Sequence, residues 1–151
     1  RYYGAKVTSV CGPTATAMVK DLGAQDVIDY TKTDLRNLHQ KYDVVYEAVG
    51  KLSFSTCVKL LNKKGTLILG SPDFIQTLRG AWKSLTSKQK VVTDVVSQHA
   101  DDINFLKRIV DEGFYKPVVD RVYPLDKLVD AHRYVEQGSK KGNVSISIMA
   151  A

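Results

Sequence analysis

The hydrophobic positions of this chain come in short blocks, and their spacing changes from block to block. In Ala5–Val10, in DVVYEA at 43–48 and in GTLIL at 65–69, apolar and β-branched residues run together or alternate, as they do in strands. Between these blocks the period lengthens. Phe54, Cys57, Val58 and Leu61 stand at i, i+3, i+4 and i+7, one face of a helix over Ser53–Leu61. The same reading predicts a helix over Ala15–Leu22, with Pro13 in its first turn, Thr14 offering a hydroxyl near its start and Gly23 as its stop. A short buried strand follows at Val27-Ile28, then a weak helix over Asp34–Gln40. Gly50 closes the DVVYEA strand, and Gly70-Ser71-Pro72 closes GTLIL.

Farther along, Phe74, Ile75, Leu78 and Trp82 suit one helical face, although Gly80 interrupts it. Lys90–Val96 is strand-like. Asp101 or Asp102 can cap a helix running to Glu112, with Ile103, Leu106, Ile109 and Val110 on one face and Gly113 as its stop. Pro117–Val122 is extended, Leu125–Gln137 is helical, and Asn143–Met149 alternates as a strand with one face buried. Strands and helices thus alternate with short links, which predicts an α/β fold with a parallel sheet covered by helices on both faces. DVVYEA and GTLIL fit strands of a sheet buried on both sides.

Composition narrows the class. The chain has 151 residues, one domain of ordinary size, with 44% hydrophobic and 25% charged residues, which excludes disordered and fibrous classes. No apolar run approaches the roughly 18 residues a membrane span needs, and RYYGAKVTSV has neither the apolar stretch nor the cleavage site of a signal peptide. The net charge of +6 is scattered, with only short pairs such as Lys63-Lys64 and Lys140-Lys141, so a nucleic-acid partner is not expected and anionic small molecules are favoured. Cys11 and Cys57 lie far apart, outside any CxxC pair, and read as buried free thiols rather than zinc ligands. His39, His99 and His132 have no partner at metal spacing and read as surface or packing residues.

In an open parallel sheet, ligands bind beyond the carboxyl ends of the strands. Those ends hold Cys11-Gly12-Pro13-Thr14, Asp29-Tyr30, Ala48-Val49-Gly50, Gly70-Ser71-Pro72 and Val96-Ser97. Small residues there allow close approach of a ligand, and they are also what ordinary strand-to-helix turns use. The G-x-G-x-x-G that cradles a dinucleotide pyrophosphate does not occur in the sequence. After the first strand no Asp or Glu appears until Asp21. Such an acid would bind the ribose of NAD, whereas the small neutral turn leaves room for a 2′-phosphate to which Thr14 could donate. Lys140-Lys141-Gly142-Asn143 reads either as a solvated basic turn or as a contact to phosphate or ribose.

Several phrases taken together, AKVTSVC, DLGAQDVIDYT, KYDVVYEAVG, KGTLILGSP and DRVYPLDKLVDAHRYVEQGSKKGNVSISI, resemble the cofactor-binding half and C-terminus of the medium-chain dehydrogenase/reductase superfamily. They are most similar to its zinc-free quinone oxidoreductase branch, which also holds alkenal and enone reductases. The resemblance implies a Rossmann-like sheet lacking its first strand and glycine-rich loop. It implies NADP as cofactor, and a quinone, enone or other carbonyl compound as small-molecule substrate. It places Gly12, Thr14 and Tyr30 near the adenosine 2′-phosphate, Ala48 and Gly50 at the adenosine or its ribose, and Gly70 and Ser71 toward the nicotinamide end. Ser139, Lys141, Gly142 and Asn143, in the turn SKKGN, would close over the cofactor. The catalytic residues are not assigned. Residues 1–116 are expected to form an incomplete dinucleotide-binding domain, and 117–151 a helix and strand packing against a substrate domain outside this chain. Apolar surface in the last third would then be exposed. The alternative is a non-catalytic Rossmann-like interaction or oligomerisation module that docks a partner or a second copy as a homodimer. A cytoplasmic location is expected, with a mitochondrial one as the alternative.

Overall fold

The computed structural model describes residues 1–70, 76, 80, 82–85, 87–93, 99–138 and 140–148. The chain divides into two compact units, one formed by Arg1–Asp29 with Gln98–Ala151 and the other by Tyr30–Ser97.

In the first unit, β1 (Thr8–Cys11) pairs parallel with β2 (Asp26–Asp29), Thr8 opposite Asp26 and Cys11 opposite Asp29. Parallel strands cannot be joined by a tight hairpin. The crossover between them is a 3-10 turn, Pro13–Ala15, running into α1 (Thr16–Asp21). Pro13 opens that turn, where its missing N–H costs nothing. Gly23 ends the helix at φ 104°, a conformation that suits glycine, and its N–H donates back to the Lys20 carbonyl at 2.8 Å. A second crossover joins β6 (Val119–Pro124) to β7 (Asn143–Ser147), again parallel, through the helix at Leu128–Glu136. The remaining helix of this unit spans Ala100–Asp111, and Gly113 follows it at φ 75°. In chain order these two helices are called α4 and α3, respectively. Neither Asp101 nor Asp102 caps α3. His99 occupies the cap position, and Asp102, three residues on, accepts the His99 N–H at 3.1 Å.

The second unit holds a three-stranded parallel sheet in the order β3 (Tyr42–Glu47), β4 (Leu61–Leu69), β5 (Lys90–Val92). The β3–β4 crossover is α2 (Phe54–Leu60), capped by Ser53, whose hydroxyl accepts the Thr56 N–H at 3.3 Å. The core joins Cys57 of α2 to Leu61, Leu67 and Leu69 of β4, with Val45, Phe54, Val58 and Val91 packed against them. Of the predicted helical face, Phe54, Cys57 and Val58 lie on α2, Leu61 falls on β4, and Thr56 and Leu60 are also buried on the helix. The helix expected over Asp34–Gln40 is only a 3-10 turn, Leu35–Asn37. Asp34 accepts the Arg36 backbone N–H at 3.0 Å and its Nε–H at 2.9 Å, local bonds that compete with continued helix.

Two further expectations change. GTLIL lies on the central strand β4, and Leu67 is completely buried, as expected. Among the described residues of this unit DVVYEA is the outer strand β3, and on it Val44 is 56% and Tyr46 65% exposed, so it is not buried on both sides. Gly80 interrupts the helical pattern of the sequence, yet it is buried, and a Cβ there would lie 2.8 Å from Val91 Cγ1. Glycine allows that helical segment to approach β5 closely. Phe74, Ile75 and Leu78 lie outside the described residues, as does the end of the strand read as Lys90–Val96. The last third does expose apolar residues, among them Val122, Val129 and Ile148. Among the described residues, no helix is long and apolar enough to cross a membrane.

Two outcomes follow from the β4 core. Leu67→Ala should lower stability by about 2–5 kcal/mol, the range for removing a fully buried leucine side chain, seen as a lower denaturant midpoint. Burial, with the nearby Glu47 charge second, pushes the Cys57 thiol up to about 11. At pH 8 only about one thiol in a thousand would then be thiolate. A thiol reagent should label half-buried Cys11 first and reach Cys57 only when the chain is unfolded.

Candidate cofactor-binding site

The second unit brings three of the predicted residues together. Glu47 and Leu69 are paired where β3 and β4 end. The Gly70 N–H donates to the Glu47 carbonyl at 2.8 Å, and a Cβ on Gly70 would stand 3.1 Å from Tyr46 Oη and 3.3 Å from that carbonyl. Ala48 and Gly50 follow on the exposed turn after β3. Gly50 has φ 73°, and no atom lies within 4 Å of where its Cβ would be. An open backbone of small residues at the strand ends fits close approach of a flat base or a sugar. Tyr30, 60% exposed, follows β2 and begins this unit, and Ser71 lies outside the described residues.

Linear reading overlooked Glu47. Its carboxylate accepts N–H bonds from Val49 at 3.3 Å, Gly50 at 2.7 Å and Lys51 at 3.1 Å. The signal was available: a carboxylate just before a glycine-containing turn can fold back on the turn's own amides, as short polar side chains do.

The first unit holds the other predicted residues in two places. Gly12 caps the 3-10 turn after β1, and its carbonyl accepts the Ala15 N–H at 3.1 Å, while Thr14 is exposed on that turn. The turn itself is neutral, but register sets Asp29, which ends the next strand, opposite Cys11. Lys141, Gly142 and Asn143 lie at the amino end of β7, and Ser139 lies outside the described residues. Gly142 is obligatory in packing terms, because a Cβ would meet the Val118 carbonyl at 2.7 Å. The Asn143 N–H donates to that same carbonyl at 2.8 Å. This turn and Met18 of α1, with Leu22 just after that helix, Ala15 and Phe114, line an open cleft of about 960 Å³.

Asp120 anchors the turn. Its Oδ2 accepts the Lys141 N–H at 2.9 Å and the Tyr134 hydroxyl at 2.7 Å, and the Arg121 guanidinium lies 3.8 Å from the centre of the Tyr134 ring. The Lys141 N–H, followed by the Tyr134 hydroxyl, holds the Asp120 carboxyl below its ordinary value. The Asp120 carboxylate in turn raises the Tyr134 hydroxyl.

A family model described as zinc-binding dehydrogenase matches residues 22–145. The chain belongs to the zinc-binding dehydrogenase family. It is a member of the medium-chain dehydrogenase/reductase superfamily. It is 31% identical to the mitochondrial NAD(P)H oxidoreductase RTN4IP1 of Danio rerio, over 97% of this chain and 44% of that protein. It is also 31% identical to the chloroplastic NADPH-dependent alkenal/one oxidoreductase of Arabidopsis thaliana, over 95% of this chain and 34% of that protein. The solved quinone oxidoreductase of Coxiella burnetii superposes with a TM-score of 0.78 at 21% identity, covering 97% of this chain and 46% of that one, which shows the fold. The chain therefore spans less than half the length of these proteins. Despite the family's description, the described residues bring together no group of three or more His, Cys, Asp or Glu side chains that could hold zinc.

The Asp120 anchor gives a signed pH dependence. A carboxyl held below its unfolded value of about 3.9 contributes stability above that pH and loses it as pH falls through the folded value. Protection of the Lys141 amide from hydrogen exchange should therefore fall on acidification below about pH 4. In Asp120→Asn it should be lower at neutral pH and show no such step.

Proposed function

We propose that this chain is the cofactor-binding part of an NADPH-dependent oxidoreductase that reduces quinones or activated alkenes and carbonyls by hydride transfer. The observation that carries the reading is the junction of Ala48, Gly50 and Gly70 at one end of a parallel sheet, in a family whose relatives are named as NAD(P)H and NADPH oxidoreductases. The chemistry a bound dinucleotide supplies is the hydride itself, two electrons with one proton. This chain's residues bind and orient. Ala48, Gly50 and Gly70 offer close backbone approach to base or ribose. Gly12, Thr14 and Tyr30 are proposed for the 2′-phosphate, and Lys141, Gly142 and Asn143 for a second contact on a turn that Asp120 and Val118 hold in place. Ser71 and Ser139 complete the proposed set.

Division of the protein at about residue 116, with 117–151 facing a substrate domain, belongs to the same proposal. So does the absence of turnover by this chain alone, since its sequence holds no G-x-G-x-x-G to cradle the pyrophosphate. The relative in Danio rerio supports a mitochondrial setting.

A second reading has its own observation. Val122, Val129 and Ile148 expose 62%, 61% and 83% of their surface, which favours an interaction or oligomerisation module, such as a homodimer.

Fluorescence titration of the 151-residue chain separates the two. The cofactor reading expects weak, saturable NADPH binding, stronger than NADH binding and reduced in Tyr30→Ala, without oxidation of NADPH by a quinone or an enone. Turnover by this chain would overturn the proposed division of labour. No binding, together with a stable dimer, would overturn the cofactor reading and support the module.

A further inference from the structure

We propose that Glu47 is a positioning residue that fills the amide pocket of the β3 turn, so that this turn receives an uncharged part of the dinucleotide, base or ribose, and rejects phosphate. The inference rests on the cofactor reading above, in which this turn meets base or ribose, and adds to it the residue that keeps phosphate out.

Three amides in a row, those of Val49, Gly50 and Lys51, point at one carboxylate. Convergent backbone N–H groups around a residue at positive φ form the kind of concavity that binds phosphate in other proteins. Here the concavity already holds an anion from the chain itself. An incoming phosphate would find these donors engaged and a negative charge in their midst. What the turn leaves for a ligand is the Ala48 side chain and the open Cα face of Gly50. Those surfaces suit stacking or van der Waals contact with an uncharged ring.

The same residue also ties the neighbouring strand. Its carbonyl accepts the Gly70 N–H at 2.8 Å, so the turn after β3 and the end of β4 are both referred to Glu47. Half-buried, with its acceptors engaged inward, the side chain acts on a ligand through the turn rather than by touching it.

The test uses amide spectra of the isotope-labelled 151-residue chain, titrated separately with inorganic phosphate and with adenosine. In the parent, adenosine should shift the Ala48, Gly50 and Gly70 signals, and phosphate should leave those of Val49, Gly50 and Lys51 in place. Glu47→Ala should vacate the pocket: exchange of the Gly50 amide should quicken by about tenfold, the scale of one lost hydrogen bond, and phosphate should now shift the three amides. A residue that merely supports the fold would not create an anion site when removed. Glu47→Gln keeps the volume and one acceptor oxygen, and guards against loss of fold in the alanine variant. It should respond to phosphate more weakly than Glu47→Ala but more than the parent. Phosphate shifts in the parent, or none in either variant, would overturn the proposal. If NADPH binds and adenosine leaves the turn unmoved, the positioning role fails while the cofactor reading stands. If neither binds, the cofactor reading fails and takes the base-or-ribose assignment with it.

Discussion

Parallel pairing is the constraint from which the rest of this structure follows. β1 with β2, β3 with β4, β4 with β5, and β6 with β7 all run in the same direction as their partners. Each pair therefore needs a crossover that leaves the carboxyl end of one strand and returns to the amino end of the next. The 3-10 turn with α1, α2, and α4 are such crossovers. Within a sheet, parallel pairing also sets the carboxyl ends side by side, so that short turns of small residues collect at one end, as Ala48, Gly50 and Gly70 do. The candidate site is a consequence of strand direction before it is a matter of particular side chains.

Two carboxylates keep turns in place by similar means. Glu47 accepts amides from its own turn, and Asp120 accepts the Lys141 amide from a turn 21 residues away along with the Tyr134 hydroxyl. In both cases a charge serves the backbone, and the hydrogen bonds give a glycine-containing loop a defined shape where propensity alone would leave it loose. Gly142 and Gly70 contribute differently, since each lacks a Cβ where backbone from a neighbouring segment comes close.

The family match and the geometry describe different things. The match covers residues 22–145 and fixes the fold and lineage. The geometry identifies which turns are open, which donors are engaged and where acids stand. Asp29 opposite Cys11 illustrates the difference. A neutral turn read along the chain acquires a carboxylate across the ladder, so the case for a 2′-phosphate there rests on lineage more than on the charge of that turn.

Periodicity alone determined much of the architecture. The i, i+3, i+4, i+7 spacing marked α2 and the contact of Phe54, Cys57 and Val58 with the core, and the glycines at 23 and 113 marked the ends of α1 and α3, because local sterics and spacing act within a few residues. Small residues at strand ends made Ala48, Gly50 and Gly70 legible as one candidate group, since strand direction implies their location. What the tertiary structure alone decided depends on partners distant in sequence. DVVYEA has the composition of a doubly buried strand, but among the described residues of its unit it is the outer strand, with Val44 and Tyr46 exposed. Gly80 reads as a helix interruption until Val91 is seen 2.8 Å from its missing Cβ. Asp120 is an ordinary strand carboxylate until Lys141 and Tyr134 reach it. Burial and hydrogen bonding are properties of pairs, and no linear pattern names the second member when the chain brings it from far away.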